Sequence, residues 1–220
     1  LKIVNVIMST LSAVSMCHRS VILLSESMQK AIKRIFDVLF SFVVIVALAP
    51  VWIAVSVWVA CTSKGGVFFR QKRTGLDGRD FNLLKFRTMY VNDQADSVQA
   101  YSTDPRITRP GHFLRRTSID ELPQLFNILK GDMSLIGPRP HMVAHTIYYS
   151  ARVPRYMDRH RMRPGLTGLA QVRGYRGATP QVADMARRVQ ADIEYVEHFS
   201  LLLDLKIFTL TVWKMLTFKL

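Results

Sequence analysis

Apolar and polar positions divide the chain unevenly. From Val38 to Cys61 no charged residue occurs, and the run VLFSFVVIVALAPVWIAVSVWVAC is long enough to cross a bilayer as a helix. Pro50 falls at its middle. Proline lacks the N–H and its ring clashes with the carbonyl four residues earlier, so a helix breaks there. Lys30, Lys33 and Arg34 precede the run, and Lys64, Arg70, Lys72 and Arg73 follow it. Basic flanks favour the cytoplasmic side. A simple span satisfies only one flank, whereas a helix that enters, breaks at Pro50 and returns satisfies both. A kinked transmembrane helix is the competing reading, and the symmetry of charge favours the re-entrant one. Ser41 and Ser56 are placed to bond the carbonyls that such a break frees.

After Gly65-Gly66 the pattern changes. VFFRQKR and DFNLLKFRTM flank the turn sequence Gly75-Leu76-Asp77-Gly78 and predict a β-hairpin. Residues 92–110 are polar and punctuated by Asp104-Pro105 and Arg109-Pro110, which predicts a loop. A helix is predicted over 118–129, with Ser118 as its cap, Glu121 three residues on and Gly131-Asp132 as its stop. GPRP (137–140) reads as extended, Met142–Arg152 as helix and 163–177 as a Gly-rich loop. Val182, Met185, Val189, Ile193 and Val196 form an apolar stripe on a helix over 180–198. The tail FSLLLDLKIFTLTVWKMLTF carries Asp204, Lys206 and Lys214, too many charges for a span. It fits an amphipathic helix lying along a membrane surface, with packing onto the protein's own core as the alternative. The fold class expected is α+β: a helix-break-helix membrane element with a small, mostly helical domain carrying one hairpin. The divisions are an N-terminal extension (1–29), the membrane element (30–63), a cytoplasmic domain (64–198) and the C-terminal interfacial helix (199–220).

Composition sharpens this picture. In 220 residues, 30 Lys and Arg stand against 16 Asp and Glu, a net charge of +14, while 49% of residues are hydrophobic. Disorder is excluded by that apolar content, and the length excludes a polytopic transporter. Residues 64–176 hold 20 of the basic and 9 of the acidic side chains, so the charge belongs to the domain outside the membrane. A polyanionic partner follows. Cys17 and Cys61 form no CxxC motif, which argues against zinc or redox chemistry and fits a reducing compartment. Residues 1–24 lack a strongly basic start and a clean cleavage site, so secretion is not expected.

Asp120-Glu121, in RRTSIDELPQL, is the one adjacent acidic pair. Neighbouring helical residues point about 100° apart, so both carboxylates can address one cleft but not one atom. That suits a split between nucleophile and metal ligand, with Arg115 and Arg116 keeping both ionised. An acidic pair complementing a helix dipole is the plainer reading. Lys85 and Arg87 alternate along a strand and share a face. GDMSLIGPRP, with Arg139, and RPGLTGLAQVRG, with Arg173, are Gly/Pro-punctuated loops that can offer guanidinium forks and backbone N–H groups to phosphates. Each arginine alone could be a solvated surface charge. His141 and His145 stand one helical turn apart but lack a third metal ligand, which favours structure or substrate contact. Asp37 is placed to pair with Arg34, while Asp104 and Asp158 read as supporting or surface residues.

Four segments, taken in order, carry a resemblance: KRIFDVLFSFVVIVALAP, FFRQKRTGLDGRDFNLLKFRTM, DPRITRPGHFLRRTSIDELPQLFNILKGDMSLIGPRP and RPGLTGLAQVRG. Together they resemble the bacterial sugar transferase family, the monotopic polyprenyl-phosphate phosphoglycosyl transferases, from about Lys33 to Leu216. The resemblance implies transfer of a sugar 1-phosphate from a UDP-sugar to undecaprenyl phosphate with release of UMP. It makes Asp120 the covalent nucleophile and Glu121 a ligand of Mg2+. Lys85, Arg87, Arg115, Arg116, Arg139 and Arg173 become the phosphate-binding set, with Arg139 on the nucleotide side. The family's membrane helix breaks at a proline, matching Pro50, although Ala49 stands where Ser is usual. The PRPHxxAH pattern points within the family to glucose 1-phosphate transfer in exopolysaccharide synthesis. Implied partners are the two substrates, the anionic phospholipid surface of the bacterial cytoplasmic membrane and downstream glycosyltransferases, with no nucleic acid. A membrane-anchored nucleic-acid or anionic-lipid binder would also need basic residues, but neither accounts for Asp120-Glu121.

Overall fold

A computed structural model describes residues 25–92, 101 and 104–217. The N-terminal extension up to residue 24 and part of the loop expected over 92–110 lie outside these. Ser25 caps α1 (Glu26–Ala47) by accepting from the Met28 N–H, and α2 (Ala49–Thr62) follows at once. The two axes differ by 67°, and no single helix among the described residues is long and apolar enough to cross a membrane. The turn falls at Leu48 rather than at Pro50 itself. Pro50 occupies the first turn of α2, where a missing N–H costs nothing. What it forbids is the continuation of α1 through it. Neither serine bonds a carbonyl at the bend: Ser41 Oγ is buried with no partner. Nor does Asp37 pair with Arg34. Asp37 accepts from the Leu135 N–H, and Arg34 donates to the carbonyls of Ile128 and Leu129.

The hairpin forms as expected. β1 (Phe68–Thr74) and β2 (Asp80–Phe86) pair antiparallel, with Phe68 opposite Phe86 and Thr74 opposite Asp80. Its turn holds Asp77 and Gly78 at positive φ. Next comes α3 (Arg109–Thr117), followed by a 3-10 turn at Ile119–Glu121 and α4 (Gln124–Lys130). The predicted helix over 118–129 is therefore split. Ser118 sits at φ 57° as the end of α3, not as an N-cap. Pro123, with no N–H to donate, starts α4. Gly131 closes it at φ 100°, as its position in the sequence predicts. The side chain of Asn127 accepts from the Leu84 N–H and donates to the Asn82 carbonyl, clamping α4 to the free edge of β2.

Two short strands were not expected. β3 (Ser134–Ile136) and β4 (Gly165–Thr167) pair in parallel. They approach so closely that a Cβ on Gly165 would lie 2.1 Å from the backbone nitrogen of Gly137. Glycine is thus required in this loop for contact rather than for flexibility. α5 (Val143–Ser150), a 3-10 segment (Tyr156–Arg161), α6 (Leu169–Val172), α7 (Val182–Glu197) and α8 (Leu201–Leu216) complete the chain.

The main core unites Leu83, Leu125, Ile128, Met133, Leu135 and Ile207, and Phe40, Trp52 and Phe208 pack on it from α1, α2 and α8. The apolar run is thus seated on the basic domain along one face. Its other face carries exposed Leu39, Phe42, Val43 and Ile53, each around 60% accessible. α8 is similar: Ile207 and Asp204 are buried, Trp213 and Leu216 exposed. Asp204 joins α8 to α1 through Lys33 Nζ at 2.6 Å and accepts from Tyr195 Oη at 2.8 Å.

Arg159, 1% exposed, donates to Asp192 Oδ2 on α7 through Nε and Nη2 at 3.0 and 2.7 Å. Asp192→Ala would leave that guanidinium buried without its counter-charge, at a cost of about 3–5 kcal/mol. Denaturant melts should show it; a change under 1 kcal/mol, roughly a surface-pair value, would contradict the geometry.

Candidate active site

A cleft of about 350 Å³ opens between the hairpin, the 3-10 turn at Ile119–Glu121 and the loop after β3. Lys85, Arg87, Arg115, Asp120 and Arg139 all line it. These five come from four separate stretches of sequence. The turn is fixed by its ends. Ser118 leaves α3 in a left-handed conformation, Glu121 N–H donates to the Ser118 carbonyl, and Pro123 prevents the two helices from fusing. Arg176 Nη2 donates to Ser118 Oγ at 3.0 Å and holds the turn from the far side.

The two acidic residues then diverge. Glu121 Oε1 accepts from Lys85 Nζ at 2.8 Å and from Arg139 Nη2 at 2.7 Å. Burial opposes its ionisation, but Arg139 and Lys85 outweigh burial and hold the carboxyl well below the usual range. Arg139 is reciprocally raised, first by the charge of Glu121. Asp120 is the opposite case. It lines the cleft, is 7% exposed and accepts no hydrogen bond among the described residues. Lys85 Nζ stands 3.9 Å from its Oδ2. Burial pushes the Asp120 carboxyl above its ordinary value; Lys85 pulls against this, and the neighbouring Glu121 charge adds to it. An ionised, buried oxygen without donors is a poor structural element and a good nucleophile.

His141 lines the cleft too. Its Nδ1 faces Arg159 Nη1 at 2.9 Å and Tyr156 Oη at 2.6 Å. Since an arginine can only donate, Nδ1 is the acceptor and the proton sits on Nε2. That Nε2 is buried and has no partner in the protein. Burial, then Arg159, pushes the pKa well below the ordinary histidine value, so the ring is neutral. His145 and Arg188 complete this end of the cleft, and burial lowers Arg188 to about 10.

Two expected residues do not join the site. Arg116 is exposed on the outer side of α3, because residues adjacent on a helix cannot share a face and Arg115 takes the inner one. Arg173 ends α6 and makes a two-pronged pair with Glu194, both contacts at 2.6 Å. Arg176, three residues on, reaches the cleft in its place. Arg188 was legible in principle, as a cation bordering the buried stripe of Met185 and Val189. Arg106 had no such signal.

No group of three His, Cys, Asp or Glu side chains that could hold a metal exists among the described residues. Magnesium does not need one: it is commonly held by one or two carboxylates plus the phosphates of a substrate. Within the pair, Glu121 Oε2 fits that donor set, because among the described residues only Arg176, at 3.9 Å, faces it.

Residues 28–218 match the family model described as bacterial sugar transferase. A UDP-glucose:undecaprenyl-phosphate glucose-1-phosphate transferase of Caulobacter vibrioides is 50% identical over 84% of this chain and 70% of its own length. One of that name from Escherichia coli K12 is 44% identical over 86% of this chain. The chain spans only 41% of that relative, and 38% and 39% of two similar ones. The exopolysaccharide production protein PSS of Rhizobium leguminosarum bv. phaseoli is 43% identical, covering 86% of this chain and 98% of itself.

The raised pKa of Asp120 carries a stability consequence. Its folded-state value lies above the unfolded one, so stability falls as pH rises through that window and stays reduced above it. Asp120→Asn should therefore raise the thermal midpoint near neutral pH, and change it little at acid pH where the carboxyl is protonated in both states. A lowered midpoint would mean that the carboxylate supports the fold.

Proposed function

Because this chain belongs to the bacterial sugar transferase family, we propose that it transfers a sugar 1-phosphate, glucose 1-phosphate by preference, from a UDP-sugar to undecaprenyl phosphate. The observation that carries this reading is the bare Asp120 carboxylate in a cleft of cations. An ionised carboxylate needs no general base. Asp120 attacks the phosphorus that bears the sugar; the bond from that phosphorus to the UMP oxygen breaks, and UMP departs as an anion. The acyl phosphosugar so formed is a mixed anhydride. An oxygen of undecaprenyl phosphate attacks the same phosphorus, the bond to Asp120 breaks, and the carboxylate is restored. No net proton moves in either half.

The remaining residues supply field and position. Lys85, Arg115 and Arg139 offset the repulsion between an anionic nucleophile and an anionic diphosphate. Glu121 keeps Lys85 and Arg139 aimed into the cleft. Glu121 would hold magnesium, which would neutralise charge building on the diphosphate oxygens. His141, which lines the cleft, keeps a neutral Nε2–H that is buried and without a partner in the protein. We read α1 and α2 as a re-entrant element and α8 as an interfacial helix. This puts the domain of residues 64–198 on the cytoplasmic face of the bacterial inner membrane, for an early membrane step of exopolysaccharide synthesis.

The detergent-solubilised full chain, given UDP-glucose, magnesium and undecaprenyl phosphate, should release UMP. Asp120→Asn should reduce release by at least about a thousandfold, since an amide cannot form the acyl phosphate (compare losses on removing a nucleophile). Without the lipid acceptor, intact mass should rise by one sugar phosphate in the parent chain only. UMP release at the parental rate by the Asn variant would overturn the mechanism.

In cysteine-free protein, single cysteines placed at Lys30 and Lys64 should both react with an impermeant maleimide from the cytoplasmic side alone. Labelling from opposite sides would instead mean a true span.

A further inference from the structure

A second cavity, about 250 Å³, lies apart from the cleft and shares no lining residue with it. It sits where α1 leaves its charged first turns, bounded by the hairpin tip at Leu76-Asp77, the start of β3 and the end of the 3-10 segment. Five cations line it: Lys30, Lys33, Arg34, Arg161 and Arg163. Two of them are neutralised by carboxylates outside the cavity, Lys33 by Asp204 and Lys30 by Glu26. The three guanidinium groups are not. Arg34 donates to the carbonyls of Ile128 and Leu129, and Arg163 to that of Gly131, which use hydrogen bonds but leave the charges standing. Arg161 forms no hydrogen bond or ion pair with any described residue, and only the charge of Glu26 acts on it at longer range. Against them the cavity sets the carboxylates of Asp77 and Asp37, the second also accepting from the Leu135 N–H, so that one net positive charge remains.

The wall itself supplies a further observation. Ser134 is 1% exposed, lines this cavity, and its Oγ has no hydrogen-bond partner. A buried hydroxyl without a partner costs stability unless something fills its lone pairs or takes its proton. Here it lines a cavity whose three guanidinium groups outnumber its two carboxylates, and a tetrahedral anion would answer both deficits. After Lys30 the outer face of α1 is apolar, with Ile32, Ile35 and Phe36 exposed. The cavity is therefore level with the edge of the apolar surface, where headgroup phosphates lie if α1 enters a bilayer.

We propose that this cavity is a phosphate-binding site, filled by the phosphate of an anionic phospholipid headgroup that pins α1 at the bilayer surface. Arg161 and Ser134 provide the contacts, and Arg34 and Arg163 the field. The choice of a lipid as the source rests on the reading of α1 as a membrane element, but not on the transfer reaction.

The test is native mass spectrometry of the full chain in detergent, titrated with phosphatidylglycerol, with diacylglycerol as a control lacking phosphate, and separately with inorganic phosphate. Arg161→Glu and Ser134→Ala are the variants: the first side chain is exposed and the second change nearly isosteric. Phosphatidylglycerol should bind saturably as a single adduct. Each variant should weaken it by about tenfold or more, the loss expected when one charge-assisted contact is removed. Diacylglycerol should give no saturable adduct. If only inorganic phosphate binds, and does so through the same two residues, the site stands and its source is soluble. If neither binds, or if the adduct is indifferent to both variants, the proposal falls. UMP release measured on the same samples keeps the two readings separate. Parental release with no phosphate bound overturns this site alone, whereas a bound adduct without release overturns the transfer reaction alone.

Discussion

Glu121 accepts from Lys85 at the end of β2 and from Arg139 in the loop after β3, while Arg176 approaches its second oxygen. Three segments that are distant in sequence are thereby tied to one buried carboxylate. Such an arrangement is stable only as a whole. Removal of the acid would leave two half-buried cations side by side, and removal of either cation would strand charge in a poorly hydrated place. The 3-10 turn that carries Glu121 cannot relax into a helix, because Ser118 and Pro123 break it at both ends. The same turn then presents the neighbouring Asp120 to the open cleft, where Lys85 stands 3.9 Å away but donates no hydrogen bond to it. One acid is satisfied so that the next can remain unsatisfied, and this contrast is the physical basis for the chemistry proposed.

A second buried network supports the first from behind. Arg159 spends its donors on Asp192, on the Arg139 carbonyl and on His141 Nδ1. It therefore connects α7 with the loop that presents Arg139, and it also decides which nitrogen of His141 carries the proton. Positive charge in this protein is divided accordingly. Some guanidinium groups, such as those of Arg159 and Arg188, are bonded within the structure. Others, in the cleft and in the cavity beside α1, face space large enough for an anion. Part of the excess of basic residues is thus gathered at two concave sites.

Much of the fold was legible in local pattern. Gly75 to Gly78 between two alternating runs yields the hairpin, Gly131 stops α4, and the stripe of Met185, Val189 and Ile193 yields the buried face of α7. Those signals act over a few residues, and no distant contact competes with them. The capping box at Ser118 had the same local logic and failed. Glu121 found stronger partners in Lys85 and Arg139 than the backbone N–H of Ser118 could offer. β3 and β4 are three residues each and pair only because Gly137 and Gly165 permit close approach, a fact with no periodic signature.

Asp120 and Glu121 could be singled out from the sequence because acids are few among so many arginines, and because the surrounding motifs keep their order along the chain. Which of the two would be bonded and which left bare could not be read there. Nor could the sequence say that Arg115 faces inward and Arg116 outward, that Arg176 replaces Arg173, or that Asp37 and Asp204 join the apolar helices to the basic domain. Periodicity and turn chemistry depend on neighbours along the chain, so the order of residues alone carries them. Burial, charge compensation and the direction of a carboxylate depend on neighbours in space, and only the packed structure decides those.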